Sequence, residues 1–437
     1  MTKARLDGLY LLLLGSVAFV LLGIAMENAA KSPLADFKAI YYPARCLLQQ
    51  VDPYMETEVL RAYRAEGGDS PTDTAKNRQI ATQNPYLPTV YSFSVPFALL
   101  PWAPAHILWL TVTFASLILA SFLIWTLAAD YSSVLAGAFV CFLLANSEVL
   151  IITGNAAGIV TSLCVVSVWC FVRNRFVLAG VLCLAISLAV KPHDTGLVWL
   201  YFLLAGGVYR KRALQTLIAT AVFSLPGVLW AWRVSPHWMQ EMHANLLAYS
   251  VHGGTNDPGL ASGGAHGLGM VVSLQAIFSF FRDDPHFYNP ASYLVFGLLF
   301  LIWMIVTLRS RTTPGNLWLA LAAIAALSML PVYHRQYDTK LLLLTVPACA
   351  MLWVERGFIG WLALLINTAG FVLNGDLPWV IFFALIKSLH PPTAGFSGQI
   401  LIGLEVFTTP AILLVMAAFY LWVYVRRSSA RATPHPL

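Results

Sequence analysis

The chain has 437 residues, of which 59% are hydrophobic and only 11% charged, with a formal net charge of +6. Soluble domains carry roughly 25% charged residues, so this composition excludes an ordinary soluble enzyme. Repeated apolar runs of bilayer length predict a single all-α, polytopic integral membrane domain over residues 1–437. Lys and Arg gather in short loops, which reads as membrane topology and not as a nucleic-acid surface, so no nucleic-acid partner is expected.

Lys3 and Arg5 precede an apolar run at residues 8–26, predicting a first transmembrane helix with its N-terminus in the cytoplasm. The run is long for a signal-peptide core and lacks a small-x-small cleavage site, so a retained helix is expected. Residues 27–85 form a polar outer loop. Within it Phe37, Tyr41, Ala44 and Leu48 recur at helical spacing, predicting an amphipathic helix on the membrane surface, with Asp36 near its start. Gly67-Gly68-Asp69-Ser70-Pro71 is a loop signal.

Residues 86–101 are apolar but short and carry Pro88, Pro96 and Pro101, which predicts a re-entrant or half-spanning helix. Spans follow at residues 104–128, 132–150, 155–172, 176–190, 195–208 and 213–232, forming a helical core over 104–232. After a second outer loop at 233–290, further spans at 291–308, 316–331, 340–354, 358–373 and 400–425 make up the C-terminal helices of 291–425, before a cytoplasmic tail at 426–437. With the first helix the total is about 12. Counted this way, Arg173-Asn174-Arg175, Arg210-Lys211-Arg212, Arg309-Ser310-Arg311, Glu355-Arg356 and Arg426-Arg427 all fall inside; a full crossing at 86–101 would turn them outward. Several spans are short for a hydrocarbon layer of about 30 Å, so tilting or local thinning is expected.

The outer side receives the polar residues with chemical potential: Asp36, Gly154-Asn155, Lys191-Pro192-His193-Asp194, the 233–290 loop, and Tyr333-His334-Arg335-Gln336-Tyr337-Asp338. Asp36 has two compatible readings, a helix N-cap and a general base. Asp52-Pro53-Tyr54 reads as a turn with a local Asp bond. Lys191 either snorkels to the interface or offers a cation to a phosphate, with the positive end of the following helix adding to it, and Asp194 reads as a cap of that helix. Arg335 has the planar fork that suits phosphate oxygens, and His334 could donate beside it; a solvated turn is the plain alternative.

His237, His243, His252 and His266 lie in the 233–290 loop without the close ligand pairs of a zinc site. Gly253-Gly254 and Gly263-Gly264 suggest a mobile flap. The six cysteines contain no CxxC and five lie in apolar segments, as buried hydrophobes do. No P-loop or dinucleotide fingerprint occurs, and nothing calls for a cofactor or a metal.

Taken in order, Asp36, Tyr41-Tyr42, Asp52-Pro53-Tyr54, Asn84-Pro85-Tyr86-Leu87-Pro88, Gly154-Asn155, Lys191-Pro192, and His334-Arg335 before a Leu-rich helix resemble glycosyltransferase family 87. A Gln is more usual where Asn155 stands, and residues 233–269 match no motif. The resemblance implies a GT-C membrane fold and transfer of a hexose, mannose above all, from a polyprenyl-phosphate donor to a lipid or glycan hydroxyl. It gives Asp36 the role of catalytic base in an inverting displacement. His334, Arg335, Lys191 and His193 would then hold the donor phosphate, and Tyr41, Tyr42, Asn155 and Tyr333 the substrates. The expected location is the bacterial inner membrane, with the site on its periplasmic face. A multi-span transporter or flippase of lipid-linked sugars is the main rival; it would place charges or broken helices near the midplane.

Overall fold

The computed structural model describes residues 2–30, 33–66, 75–83, 85–260, 270–389 and 396–430. Among these residues the structure is helical throughout, apart from one isolated antiparallel bridge between Val271 and Arg335. The all-α, polytopic membrane architecture expected from the apolar pattern is what the chain forms.

Helix α1 (Lys3–Ala29) has 27 residues, about 40 Å at 1.5 Å per residue, enough to cross a bilayer core. A cluster of short elements follows: α2 (Ala35–Leu48), α3 (Glu56–Ala65), α4 (Ala75–Thr82) and α5 (Pro88–Ala98). Eleven residues give α5 a rise of about 16 Å, half a bilayer core. Helix α6 (Trp102–Leu144) is broken at Ser132, whose φ of −146° and ψ of 100° are not helical. Glu27 meets His106 at 3.2 Å, whereas Gly8 at the other end of α1 abuts both Trp125 and Ser133. The first arm of α6 therefore runs antiparallel to α1 and the second returns alongside it, as the separate spans at 104–128 and 132–150 anticipate. A Cβ on Gly8 would lie 2.3 Å from the Ser133 carbonyl oxygen, and one on Gly15 2.5 Å from the Cys141 Cα. Small residues permit this close approach where no hydrophobic effect drives helices together.

The chain continues through α7 (Glu148–Thr153), α8 (Ala157–Arg173), α9 (Val177–Val190), α10 (Pro192–Leu204), α11 (Gly207–Val234), α12 (Trp238–Ser250), α13 (Leu274–Phe281), α14 (Pro285–Arg309) and α15 (Pro314–Leu327). A 3-10 helix (Gln336–Thr345) leads into α16 (Val346–Val354), then α17 (Phe358–Leu373), α18 (Asp376–Leu389) and α19 (Phe396–Ala430). Among the described residues six helical stretches are long and apolar enough to cross a membrane, or seven if α17 and α18, bent by 58°, count as one. The other elements counted toward the expected total of about 12, including α8, α9 and α15, are shorter.

The centre of the bundle is α15 and the 3-10–α16 segment. Residues 316–327 of α15 are all buried, and so are Gln336 to Thr345. A ten-residue 3-10 helix is unusual, because its hydrogen bonds are poorer than those of an α-helix. The span expected at 340–354 therefore begins in 3-10 form. Its side chains are held from different sides, Asp338 by Lys191 and Lys340 by the Asn146 carbonyl oxygen at 2.7 Å.

Two expectations need correction. The helix at 35–48 exists, but its apolar face is covered by the protein itself and not left for the membrane. Phe37, Ile40, Tyr41, Tyr42, Ala44 and Leu47 are all buried, because α3, α4, α5 and the start of α6 cover faces that the apolar spacing left open. The described part of the 233–290 loop is not irregular throughout but contains α12, α13 and the start of α14. Its Gly253-Gly254 turn is tied down by Asp257, which accepts from Gly253 N at 2.6 Å and Tyr288 OH at 2.7 Å. Gly263-Gly264, His266 and the 67–71 loop signal lie outside the described residues.

Candidate active site

The basic termini of the helices gather at one end of the bundle, where Arg5 and Arg173 both meet Asp130, at 3.2 and 2.7 Å. At the other end, six separated stretches of chain enclose a cavity of about 470 Å³. Its chemically active lining is Asp36, Asn155, Lys191, His193, Tyr333 and Arg335, with Tyr86, Tyr249 and Tyr337 beside them.

Asp36 reaches the cavity because of how α2 starts. Leu34 occupies the N-cap in a left-handed conformation, and its amide donates to the Ile152 carbonyl at 2.7 Å. The N-cap thus carries no side-chain hydrogen bond, and the capping reading of Asp36 does not hold. The Asp36 carboxylate instead accepts from Asn155 Nδ2 at 2.8 Å. Gly154 makes this possible: its φ is +65°, and a Cβ there would lie 2.7 Å from Leu34 Cδ2. Asn155 Oδ1 accepts from the Ala157 amide at 2.8 Å, which turns the NH₂ group toward Asp36. Behind Asp36, Phe37 stacks on Trp109 with ring centres 4.4 Å apart, and Trp109 Nε1 donates to the Gly154 carbonyl.

Helix α2 lies outside the long apolar helices that could cross the membrane. Burial raises the Asp36 pKa above the usual carboxylate range, opposed by the Asn155 hydrogen bond and by the nearby charges of Arg335 and Lys191.

Lys191 sits where Pro192 ends α9 and begins α10, with non-helical φ of −145°. It neither snorkels nor is open to solvent. Its side chain is buried, and Nζ is ion-paired with Asp338 and, at 3.1 Å, with Asp194. Asp194 is likewise not a helix cap; it faces Lys191, His193 at 3.3 Å and His334 at 3.5 Å.

Arg335 is held from its backbone outward. Val272 N donates to the His334 carbonyl, Gln336 N to the Met270 carbonyl, and Arg335 N to Asp338 Oδ2 at 2.7 Å. Its guanidinium donates to the Tyr333 hydroxyl and, at 2.8 Å, to the Thr255 carbonyl. The stretch from Tyr333 to Asp338 is therefore no solvated turn; His334, Gln336 and Asp338 are all buried.

Of the residues singled out from sequence, Asp36, Asn155, Lys191, His193, Tyr333 and Arg335 meet on one cavity. His334 stands behind His193, fully buried, with ring centres 5.1 Å apart, and is not in the lining. Tyr41 and Tyr42 lie away from the cavity. Tyr41 donates to Glu66 and the Leu100 carbonyl, each at 2.8 Å, and Tyr42 packs on Tyr63 and Trp102. Their period on α2 fits an aromatic core as well as a binding face, and the covering helices made it a core. Asp52 forms the expected turn, accepting from Tyr54 N at 2.8 Å. Tyr249 gave no signal in the sequence, because its partners are distant in the chain, and Asp194 was singled out only as part of the Lys191–Asp194 run.

This helical bundle, with its membrane-length helices and its carboxylate-and-guanidinium cavity at one end, is that of a polytopic membrane protein with a chemical site. The model of Glycosyltransferase family 87 matches residues 84–330, more than half of the chain. The protein belongs to that family and is a membrane glycosyltransferase. The matched segment contains Asn155, Lys191 and His193; Asp36 and the Tyr333–Arg335 stretch lie outside it. No curated protein and no solved structure matches the chain.

Proposed function

We propose that this protein is a GT-C enzyme that moves a hexose, mannose in the first instance, from a polyprenyl-phosphate donor to a hydroxyl of a lipid or glycan acceptor. Asp36 takes the proton of the acceptor hydroxyl as its oxygen bonds to the anomeric carbon. The carbon–oxygen bond to the phosphate breaks on the opposite face, so the configuration inverts, and the phosphate leaves with the electron pair. Arg335 holds the developing phosphate charge through its planar fork, with His193 at the same cavity wall. A phosphate is a weakly basic leaving group and needs no strong acid behind it.

The observation that carries this reading is that Asp36 and Arg335 line one cavity, with Asn155 Nδ2 donating to the Asp36 carboxylate. Burial raises the Asp36 pKa and so makes it a stronger base than a surface carboxylate once ionised. About 470 Å³ lies within the ordinary range for small-ligand sites, roughly 300–1,000 Å³. Lys191 has a different role from the one first expected: with Asp194 and Asp338 on its ammonium, it positions the Arg335 segment more than it offers charge to a phosphate. The basic loops at the far end of the bundle support a cytoplasmic end there, and hence a site on the periplasmic face of an inner membrane. Membership in a glycosyltransferase family sets the transporter reading aside.

The test uses purified protein in proteoliposomes with radiolabelled polyprenyl-phosphate mannose and a membrane lipid extract as acceptor. Asp36→Asn should lower transfer about 10²–10⁴-fold, the usual contribution of a general base, with the thermal transition preserved. Wild-type transfer by a folded Asp36→Asn protein would remove Asp36 from the mechanism.

A further inference from the structure

We propose that His193 Nε2, Asp194 Oδ1 and His334 Nε2 form a three-ligand site for a divalent transition-metal ion, with Zn²⁺ the best fit, on the wall of the glycosyl-transfer cavity. Among the described residues these are the one group of three metal-competent side chains, their ligand atoms all within 4.8 Å of one another.

The distances suit a metal. Ligand atoms held tetrahedrally at 2.0–2.1 Å from zinc stand about 3.3 Å apart. Here Asp194 Oδ1 is 3.3 Å from His193 Nε2 and 3.5 Å from His334 Nε2. The remaining edge, between the two imidazoles, is no longer than 4.8 Å, and the His193 side chain is 38% exposed.

The protonation pattern points the same way. His334 Nδ1 lies 3.1 Å from the Val332 carbonyl oxygen, which can only accept, so Nδ1 carries the proton. In the neutral ring Nε2 then presents a lone pair toward the Asp194 carboxylate. Nε2 is fully enclosed and faces Asp194 Oδ1 at 3.5 Å, too far for a good hydrogen bond. Two acceptors facing each other at 3.5 Å in a buried place call for a cation between them.

The surrounding contacts are those that orient metal ligands. A ligating imidazole usually donates its other N–H to a carbonyl, as His334 does to Val332. A ligating carboxylate is held through its second oxygen, as Asp194 Oδ2 is by Lys191 at 3.1 Å. Two imidazoles and one carboxylate favour zinc or another first-row metal over Mg²⁺ and Ca²⁺, which take oxygen ligands. Three protein ligands leave a position for water or substrate, and because His193 lines the cavity, that position opens into it.

The site escaped sequence reading because its ligands come from two distant segments, the start of α10 and the stretch before the 3-10 helix. The histidines of 233–290, which looked more metal-like in number, do not take part among the described residues.

Full-length protein purified in detergent without chelator should carry about one equivalent of zinc by elemental analysis. After stripping with 1,10-phenanthroline, added ZnCl₂ should raise the thermal transition, and CoCl₂ should give the visible bands of tetrahedral, nitrogen-ligated Co²⁺. His193→Gln, at a partly exposed position that should tolerate it, and His334→Gln should each lower retained metal about 10-fold or more; Asp36→Asn should not. The proposal is overturned by metal below about a tenth of an equivalent with no response to ZnCl₂ or CoCl₂, or by wild-type metal content in both histidine variants. In that case Asp194 is held by Lys191 and the two histidines without a metal. Metal content is read without any sugar donor, so its failure would leave the Asp36 chemistry standing.

Discussion

Asp36, half-buried at the cavity wall, and Asp338, fully buried, are acids at the same end of the bundle, and their surroundings differ in kind. Asp338 gives one oxygen to the Lys191 ammonium and the other to the Arg335 amide, so its charge and lone pairs are committed within the protein. Asp36 has no ion pair at contact distance among the described residues; it accepts from the neutral Asn155 amide and faces the cavity. One carboxylate stabilises the arrangement of the site. The other is held in a costly environment with basicity directed at whatever enters. Where two such acids lie close together, the one with fewer internal partners is the better candidate for chemistry.

The contrast predicts opposite effects on activity and stability. Asp36→Asn should give the largest loss of turnover, about 10²–10⁴-fold, and should not destabilise the fold. The sign follows from linkage. Burial raises the folded-state pKa of Asp36, so the folded protein binds a proton more tightly than the unfolded chain. Stability from this group falls as pH rises from the usual carboxylate value through the raised one, and above that window it is a penalty that Asn removes. A large drop in the thermal transition of Asp36→Asn would contradict this.

Asp338→Ala should do the reverse, destabilising by about 3–5 kcal/mol because it strips a partner from a buried ion pair. Thermal or denaturant unfolding in detergent measures it, and a loss under about 1 kcal/mol would mean that Lys191 reaches water. Arg335→Lys keeps the charge but loses the fork. Transfer should fall about 10–100-fold, the worth of one charge-assisted hydrogen bond; unchanged transfer would take Arg335 off the phosphate.

Asn155→Ala acts more gently, on pH dependence. Asn155 favours the ionised form of Asp36, so its removal should move the acid limb of the rate profile to higher pH while the alkaline plateau is largely kept. An acid limb that stays in place, or moves down, would mean that Asp36 does not set it. Tyr41→Phe should be mildest, costing about 0.5–1.5 kcal/mol of stability through lost hydrogen bonds, with transfer unchanged. A folded Tyr41→Phe protein without activity would return Tyr41 to the substrate site.

Much of the framework was legible because the bilayer imposes simple rules. Apolar runs located most helices to within a few residues, and the break between 128 and 132 appears as the Ser132 corner of α6. The outer-side polar pattern and the family resemblance both brought Asp36, Asn155, Lys191 and Arg335 to attention, and they share a cavity. Tyr41 and Tyr42 misled because aromatic period is the same for a core face and a binding face. His334 was placed too near the substrate because adjacency to Arg335 does not show which way a buried ring points. Helix α18 was missed where its bend against α17 interrupts the apolar pattern at Asn374-Gly375-Asp376.

By itself the sequence determined that this chain is a helical membrane protein, since so low a charge content and so many bilayer-length runs leave water-soluble folds no surface. Its motif order also determined the family. Only the tertiary structure decided which charges cancel one another and which remain for substrate. Lys191, Asp194, His334 and Asp338 come from two stretches far apart in the chain, and an ion pair is a property of distance and burial that no local pattern records. The same holds for Asp36: its place near the first helix was readable, but its standing as an acid hydrogen-bonded to one amide and open to a cavity came from Gly154 letting α7 close against α2.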